Sequence, residues 1–125
     1  MRQIVMSREE KYIELTFNFD TPVIVPEKTD VLCKLALLGY KSPISLHCRI
    51  TENKKADLTM YMSTQVKEPK MSNCMRVVER LKLFYFSAKN KEKYFDANDY
   101  LYITVKSLAG CCITIRPEHC LGAGE

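Results

Sequence analysis

The 125-residue sequence has no apolar run long enough to cross a bilayer, which excludes a helical membrane span. Its N-terminus holds only Ile4, Val5 and Met6 as an apolar stretch before Ser7 and the charged run Arg8, Glu9, Glu10, Lys11, so the hydrophobic segment of a secretory signal is missing. The expectation is a soluble, non-exported chain in the cytoplasm, with a cytoskeletal association as the narrower reading, and six cysteines kept reduced there. Also missing are the close C-x-x-C pairs of a zinc site, a phosphate-binding glycine loop and any recognisable spacing of paired catalytic carboxylates. With two histidines and no orienting third residue, a Cys/His nucleophile has little to build on. The expected cofactor set is empty, and the chain is read as a non-enzyme.

Charge of one sign is scarce too. Nineteen basic residues face fifteen acidic ones, a net +4, too mild and too dispersed to imply a nucleic-acid partner. The mixed runs "ENKKAD" and "KNKEKYFD" read as solvated turns, with docking onto an acidic partner surface, such as tubulin tails or anionic lipid, as the other reading.

The pattern that is present has a period of two. In "YIELTFNF", Ile13, Leu15, Phe17 and Phe19 share one face, and Asp20, Thr21 and Pro22 are expected to end the strand. "VIV" at 23 to 25 is a short β-branched run. "VLCKLALL" at 31 to 38 turns Val31, Cys33, Leu35 and Leu37 inward and Lys34 outward. "ISLHCRI" turns Ile44, Leu46, Cys48 and Ile50 inward and Ser45, His47 and Arg49 outward. "ADLTMYMST" does the same with Leu58, Met60 and Met62 against Thr59, Tyr61 and Ser63. A loop over 65 to 73 follows, then a loop or single helical turn to about residue 80, and a strand over 81 to 87. "YLYITVKSL" buries Leu101, Ile103 and Val105; Ala109 and Gly110 turn the chain; "CCITIR" is expected to pair back as a hairpin that Pro117 stops.

This predicts an all-β fold: an antiparallel β-sandwich of about eight strands, jelly-roll-like, in a single domain over 1–125 with an N-terminal extension at 1–10 and a flexible tail at 117–125. Cys33, Cys48 and Cys111 are expected in the core. Metal ligation by Cys112, His119 and Cys120, or calcium at Asp96, Asn98 and Asp99, is weaker than core packing and an ordinary turn.

Asp57, Tyr61 and Ser63, then the loop "KEPKMSNC", then Tyr100, Val105 and Gly110 in "DYLYITVKSLAGCCITI", give residues 56–116 a cadence that resembles the bacterial pre-peptidase C-terminal domain. The resemblance implies a small jelly-roll sandwich closed by a hairpin and a non-catalytic accessory role. The functional expectation is a protein-interaction or structural module docking onto a larger intracellular assembly, cytoskeletal or ciliary among the candidates. The alternative is a sandwich that binds calcium, a glycan or a lipid headgroup at its loop end. Contact residues are expected in the loop after "ADLTMYMST", at Lys67, Glu68 and Lys70, and in the aromatic segments, at Phe84, Phe86 and Tyr94.

Overall fold

In the computed structural model, residues 11–37, 44–74, 76–79, 83–86 and 100–119 are described. They form nine strands: β1 (Tyr12–Leu15), β2 (Thr21–Val25), β3 (Val31–Ala36), β4 (Ile44–Glu52), β5 (Thr59–Ser63), β6 (Arg76–Glu79), β7 (Leu83–Phe86), β8 (Tyr100–Lys106) and β9 (Cys111–His119). One sheet has the order β1-β3-β8-β5-β6 and the other β2-β9-β4-β7. Leaving out β1, the orders β3-β8-β5-β6 and β2-β9-β4-β7, in which only β5 and β6 are consecutive strands of one sheet, are those of two Greek keys, so the fold is a jelly roll with β1 added in parallel to β3. No helix among the described residues is long and apolar enough to cross a membrane.

The inward faces read from the alternation meet between the sheets. Cys33, Leu35, Leu46, Met60, Met62, Ile103, Val105, Ile113 and Ile115 are all buried there, and Phe17, Val31 and Ile50 pack against them partly exposed. Burial of this apolar set is the main stabilising contribution.

The structure corrects several expectations. The first strand stops at Leu15, and Asn18 takes a left-handed turn (φ 71°) that leaves Phe19 64% exposed. Pro22 lies inside β2 rather than ending a strand, which is possible because β2 is an edge whose outer side has no paired strand among the described residues. Residues 76–79 are a strand antiparallel to β5, not a loop or helical turn; of the strand expected over 81–87, Leu83–Phe86 is described as strand and the rest lies outside the described residues.

The expected terminal hairpin is absent. β8 pairs with β3 and β5, whereas β9 pairs with β2 and β4, so the turn between them carries the chain from one sheet to the other. Asp57 holds that turn, its carboxylate accepting the N–H groups of Leu108 (2.9 Å) and Ala109 (3.3 Å). Gly110 completes it at φ 82°, where an added Cβ would stand 3.0 Å from the Glu27 backbone nitrogen.

Pro117 does not stop β9, and residues 117–119 are strand rather than tail. The Pro117 carbonyl accepts from Asn18 N–H (2.7 Å) on the side where β2 has already ended at Ile115. Carbonyl and amide of one strand residue point the same way, so the missing proline donor falls where no ladder bond is needed. Residues 120–125 lie outside the described residues.

Three residues read as outward are buried: Ser45, Lys34 and Ser63. Lys34 sits with its ammonium 4.8 Å from the Tyr100 ring centre, 5.4 Å from that of Tyr12 and 3.5 Å from Glu14. Thr104, between Leu32 and Tyr61 on the neighbouring strands, is 1% exposed and its hydroxyl has no hydrogen-bond partner among the described residues. Thr104→Val should therefore raise stability by about 1 kcal/mol, read as a Tm increase of about 3 °C; a lower Tm would mean the hydroxyl is satisfied.

Candidate functional site

The loop at 65–73 is a strap rather than a free projection. Ser63 Oγ accepts the N–H groups of Gln65 and Val66, each at 3.0 Å, which turns the chain off β5. The strap then reaches β1, across roughly 14 Å of intervening strands. There the Tyr12 hydroxyl donates to the Lys67 carbonyl (2.9 Å), and Lys11 pairs with Glu68. The Lys11 ammonium holds the Glu68 carboxyl below the usual carboxylate range, and Pro69, within the strap, is buried. Of the expected contact residues, Lys67 and Lys70 are exposed, and Glu68 is exposed but engaged by Lys11. Phe84 and Phe86 are placed on β7, where only the backbone is described, and Tyr94 lies outside the described residues.

A second site was not anticipated. Where β4 and β9 run side by side, a cleft of about 660 Å³ opens, with Arg49, Lys54, Lys55 and Arg116 around it against one carboxylate, Asp20. β4 supplies Arg49, whose alternation with Cys48 and Ile50 points it outward. The bend after β4 supplies the two lysines: Asn53 adopts φ 62°, its side chain donates to the Gly110 carbonyl (2.7 Å), and its own carbonyl accepts from Ala56 N–H (2.9 Å). Before that bend, the pairing of β4 with β9 shifts register between Ile50 and Glu52, and the Thr51 hydroxyl donates to the Cys112 carbonyl (3.1 Å). The "KK" read as a solvated turn is thereby fixed at the cleft.

The four cations differ in what they meet. Arg116 is engaged, with Nη1 3.1 Å from Asp20 and Nε 2.6 Å from Glu118, and these carboxylates raise its affinity for its proton. Arg49, Lys54 and Lys55 have no ion-pair partner among the described residues. Three positive charges, unpaired among the described residues, thus converge on one concave surface with Ile50 and Ala56 as its apolar lining. Spread through the sequence at 49, 54 and 55 they resemble ordinary surface charge, and the grouping shows only in the fold, where Asp20 and Glu118 pair with Arg116 instead.

His47 also lines the cleft, and its surroundings bear on catalysis. The Ser45 hydroxyl and the Glu118 carboxylate both approach the same ring nitrogen, Nε2, each at 3.2 Å. A relay needs the acid on one nitrogen and the nucleophile on the other, so this set is not arranged as a catalytic triad. Cys112 and His119, weighed as metal ligands, stand at opposite parts of β9, seven residues or ~23 Å apart. His119 instead stacks on Phe17 with ring centres 4.0 Å apart. The stretch of Asp96, Asn98 and Asp99 lies outside the described residues.

Burial pushes the Cys33 and Cys48 thiols up to about 12, each further raised by a neighbouring cysteine. The reactive thiolate is therefore suppressed by about a thousandfold. Alkylation of the native protein should label Cys74 and Cys112 while Cys33 and Cys48 react only on unfolding; early labelling of Cys33 would contradict its placement in the core.

The fold and cleft define a jelly-roll sandwich with a basic concave site. No family model and no curated protein matches the sequence. Among solved structures, the crystal structure of the Yersinia pseudotuberculosis-derived mitogen (YPM) is similar, with a TM-score of 0.57 and 12% identity over 86% of this chain and 88% of that one. At that identity the likeness concerns the fold alone.

Proposed function

We propose that the protein is a non-catalytic interaction module that engages an acidic segment of a protein partner through the cleft at Arg49, Lys54, Lys55 and Arg116. The observation that carries this reading is the set of three cations, Arg49, Lys54 and Lys55, without counter-charges among the described residues around one cavity. Exposed cations grouped on one concave surface set up a positive field that an incoming carboxylate matches. The lining by Ile50 and Ala56 favours a peptide with apolar and acidic side chains over a small inorganic anion. The shared Nε2 of His47 supports a binding role over a hydrolytic one.

The resemblance of residues 56–116 to an accessory sandwich domain accords with this reading, as do the free thiols of Cys33, Cys48, Cys74, Cys111 and Cys112 with the cytoplasmic location expected from the sequence. A cytoskeletal or ciliary assembly bearing acidic tails is a partner of the right chemistry. Lys67 and Lys70, exposed on a strap pinned to β1, supply a second contact for a large partner.

The test is titration of a fluorescent peptide rich in glutamate and valine against wild type and the triple variant Arg49→Glu, Lys54→Glu, Lys55→Glu. Affinity should fall about tenfold or more in the variant, and wild-type affinity should weaken as salt is raised. Tm should stay within a few degrees, since all three side chains are exposed. Equal binding by both proteins would remove the cleft from consideration.

A further inference from the structure

We propose that the cleft reads a phosphorylated serine or threonine within the acidic partner segment, with Arg49, Thr114, Lys54 and Lys55 around the phosphate. This rests on the cleft reading above and deepens it by naming the group that seats there.

The ladder between β4 and β9 sets out two neighbouring rows of side chains on the outer face of this sheet. In one, Arg49 is the direct partner of Thr114; in the other, His47 is the direct partner of Arg116. Directly paired residues stand about 5 Å apart at Cβ, so the first row places a guanidinium beside a hydroxyl. Neither group has an ion-pair or hydrogen-bond partner among the described residues, and both line the cleft. In the second row the charges are matched: Arg116 holds Asp20 and Glu118, and Glu118 also meets His47. Glu52, at the end of β4, accepts from the Cys112 thiol (3.5 Å) and does not line the cleft. Free donors therefore approach one recess from three elements: Arg49 from β4, Thr114 from β9, and Lys54 and Lys55 from the bend after β4.

This set of donors suits a phosphate monoester. A carboxylate offers two oxygens in one plane and a single charge, which one guanidinium satisfies bidentately. It would leave the Thr114 hydroxyl and both ammonium groups unmatched. A phosphorylated side chain carries about −1.5 to −2 charges on three strongly accepting oxygens. Two of these suit the fork of Arg49, the third suits the Thr114 hydroxyl, and the lysines balance the remaining charge. The source is a protein segment rather than a membrane, because the cations border a recess lined by Ile50 and Ala56. Anionic bilayers are met by projecting basic segments instead.

Three synthetic peptides of one Glu/Val sequence, with serine, glutamate or phosphoserine at the central position, test this with the full chain. The phosphoserine form should bind wild type about tenfold or more tighter than the glutamate form. Arg49→Lys keeps the charge but loses the fork, and should remove most of that advantage while the glutamate form binds nearly as before. Thr114→Val should reduce the advantage severalfold at unchanged Tm, since valine suits a strand. Equal affinity of wild type for the glutamate and phosphoserine forms would overturn the phosphate assignment while leaving acidic-segment binding in place. Displacement of the phosphopeptide by equimolar inorganic phosphate, or tighter binding to phosphoinositide vesicles, would overturn its protein source. Failure of all three peptides to bind would overturn both readings.

Discussion

Ile103→Ala is expected to destabilise the protein by about 3 kcal/mol, seen as a fall in Tm of roughly 10 °C. Ile103 is fully buried on β8, the central strand of its sheet, and is paired with Cys33 of β3 and Met62 of β5. Truncation leaves a cavity between two sheets whose backbones are fixed by ladders on both sides, so collapse around it is limited. Ile24→Ala is the matched control. Ile24 is 72% exposed on the edge strand β2, and its truncation should change stability by less than about 0.5 kcal/mol. Equal effects at the two isoleucines would contradict the assignment of faces on which the sandwich rests.

Asp57→Ala should cost about 2 kcal/mol, because one carboxylate holds the turn that moves the chain between sheets. Two backbone donors and the Ser107 hydroxyl, 3.4 Å away, lose their acceptor together. The effect should depend on pH. Hydrogen bonds from Leu108 hold the Asp57 carboxyl below the usual carboxylate range despite the opposing effect of burial, and its pKa is thus lower folded than unfolded. The contribution of this group is complete above its unfolded value, about pH 4, and is lost as pH falls through the folded value. The Tm difference between wild type and Asp57→Ala should therefore be widest near neutral pH and shrink below about pH 4. A constant difference across that range would mean that the carboxylate charge is not what secures the turn.

The same turn shows where sequence reading succeeds and where it stops. Alternation along Leu101, Ile103, Val105 and along Cys111, Ile113, Ile115 identified both faces, because burial imposes a period of two whatever the partner strand is. Alternation carries no information about that partner, so proximity in sequence suggested a hairpin where the chain changes sheets. What distinguishes the two is Asp57, some fifty residues earlier, whose side chain supplies acceptors that a simple hairpin turn would not require. Pro22 and Pro117 misled for a related reason: proline ends a strand only where its missing donor would face a neighbour, and both lie where it does not. The strap was legible as a long loop after Ser63, but its ties to Lys11 and Tyr12 join segments more than fifty residues apart.

The cleft was the least legible feature. Arg49, Lys54 and Lys55 are exposed, and exposed basic residues between strands are commonplace. Their meaning depends on which carboxylates reach them, and Asp20 and Glu118 spend their charge on Arg116 instead. That selection is made by the pairing of β9 with both β2 and β4, which no local pattern encodes.

The most direct measurement of the central claim is amide chemical-shift mapping of the isotopically labelled protein during titration with the glutamate-rich peptide. The binding-module account predicts saturable shifts concentrated at residues 47–56 and 114–116, absent when Arg49, Lys54 and Lys55 are reversed in charge. Shifts confined to the strap at 65–73, or no shifts at all, would contradict it.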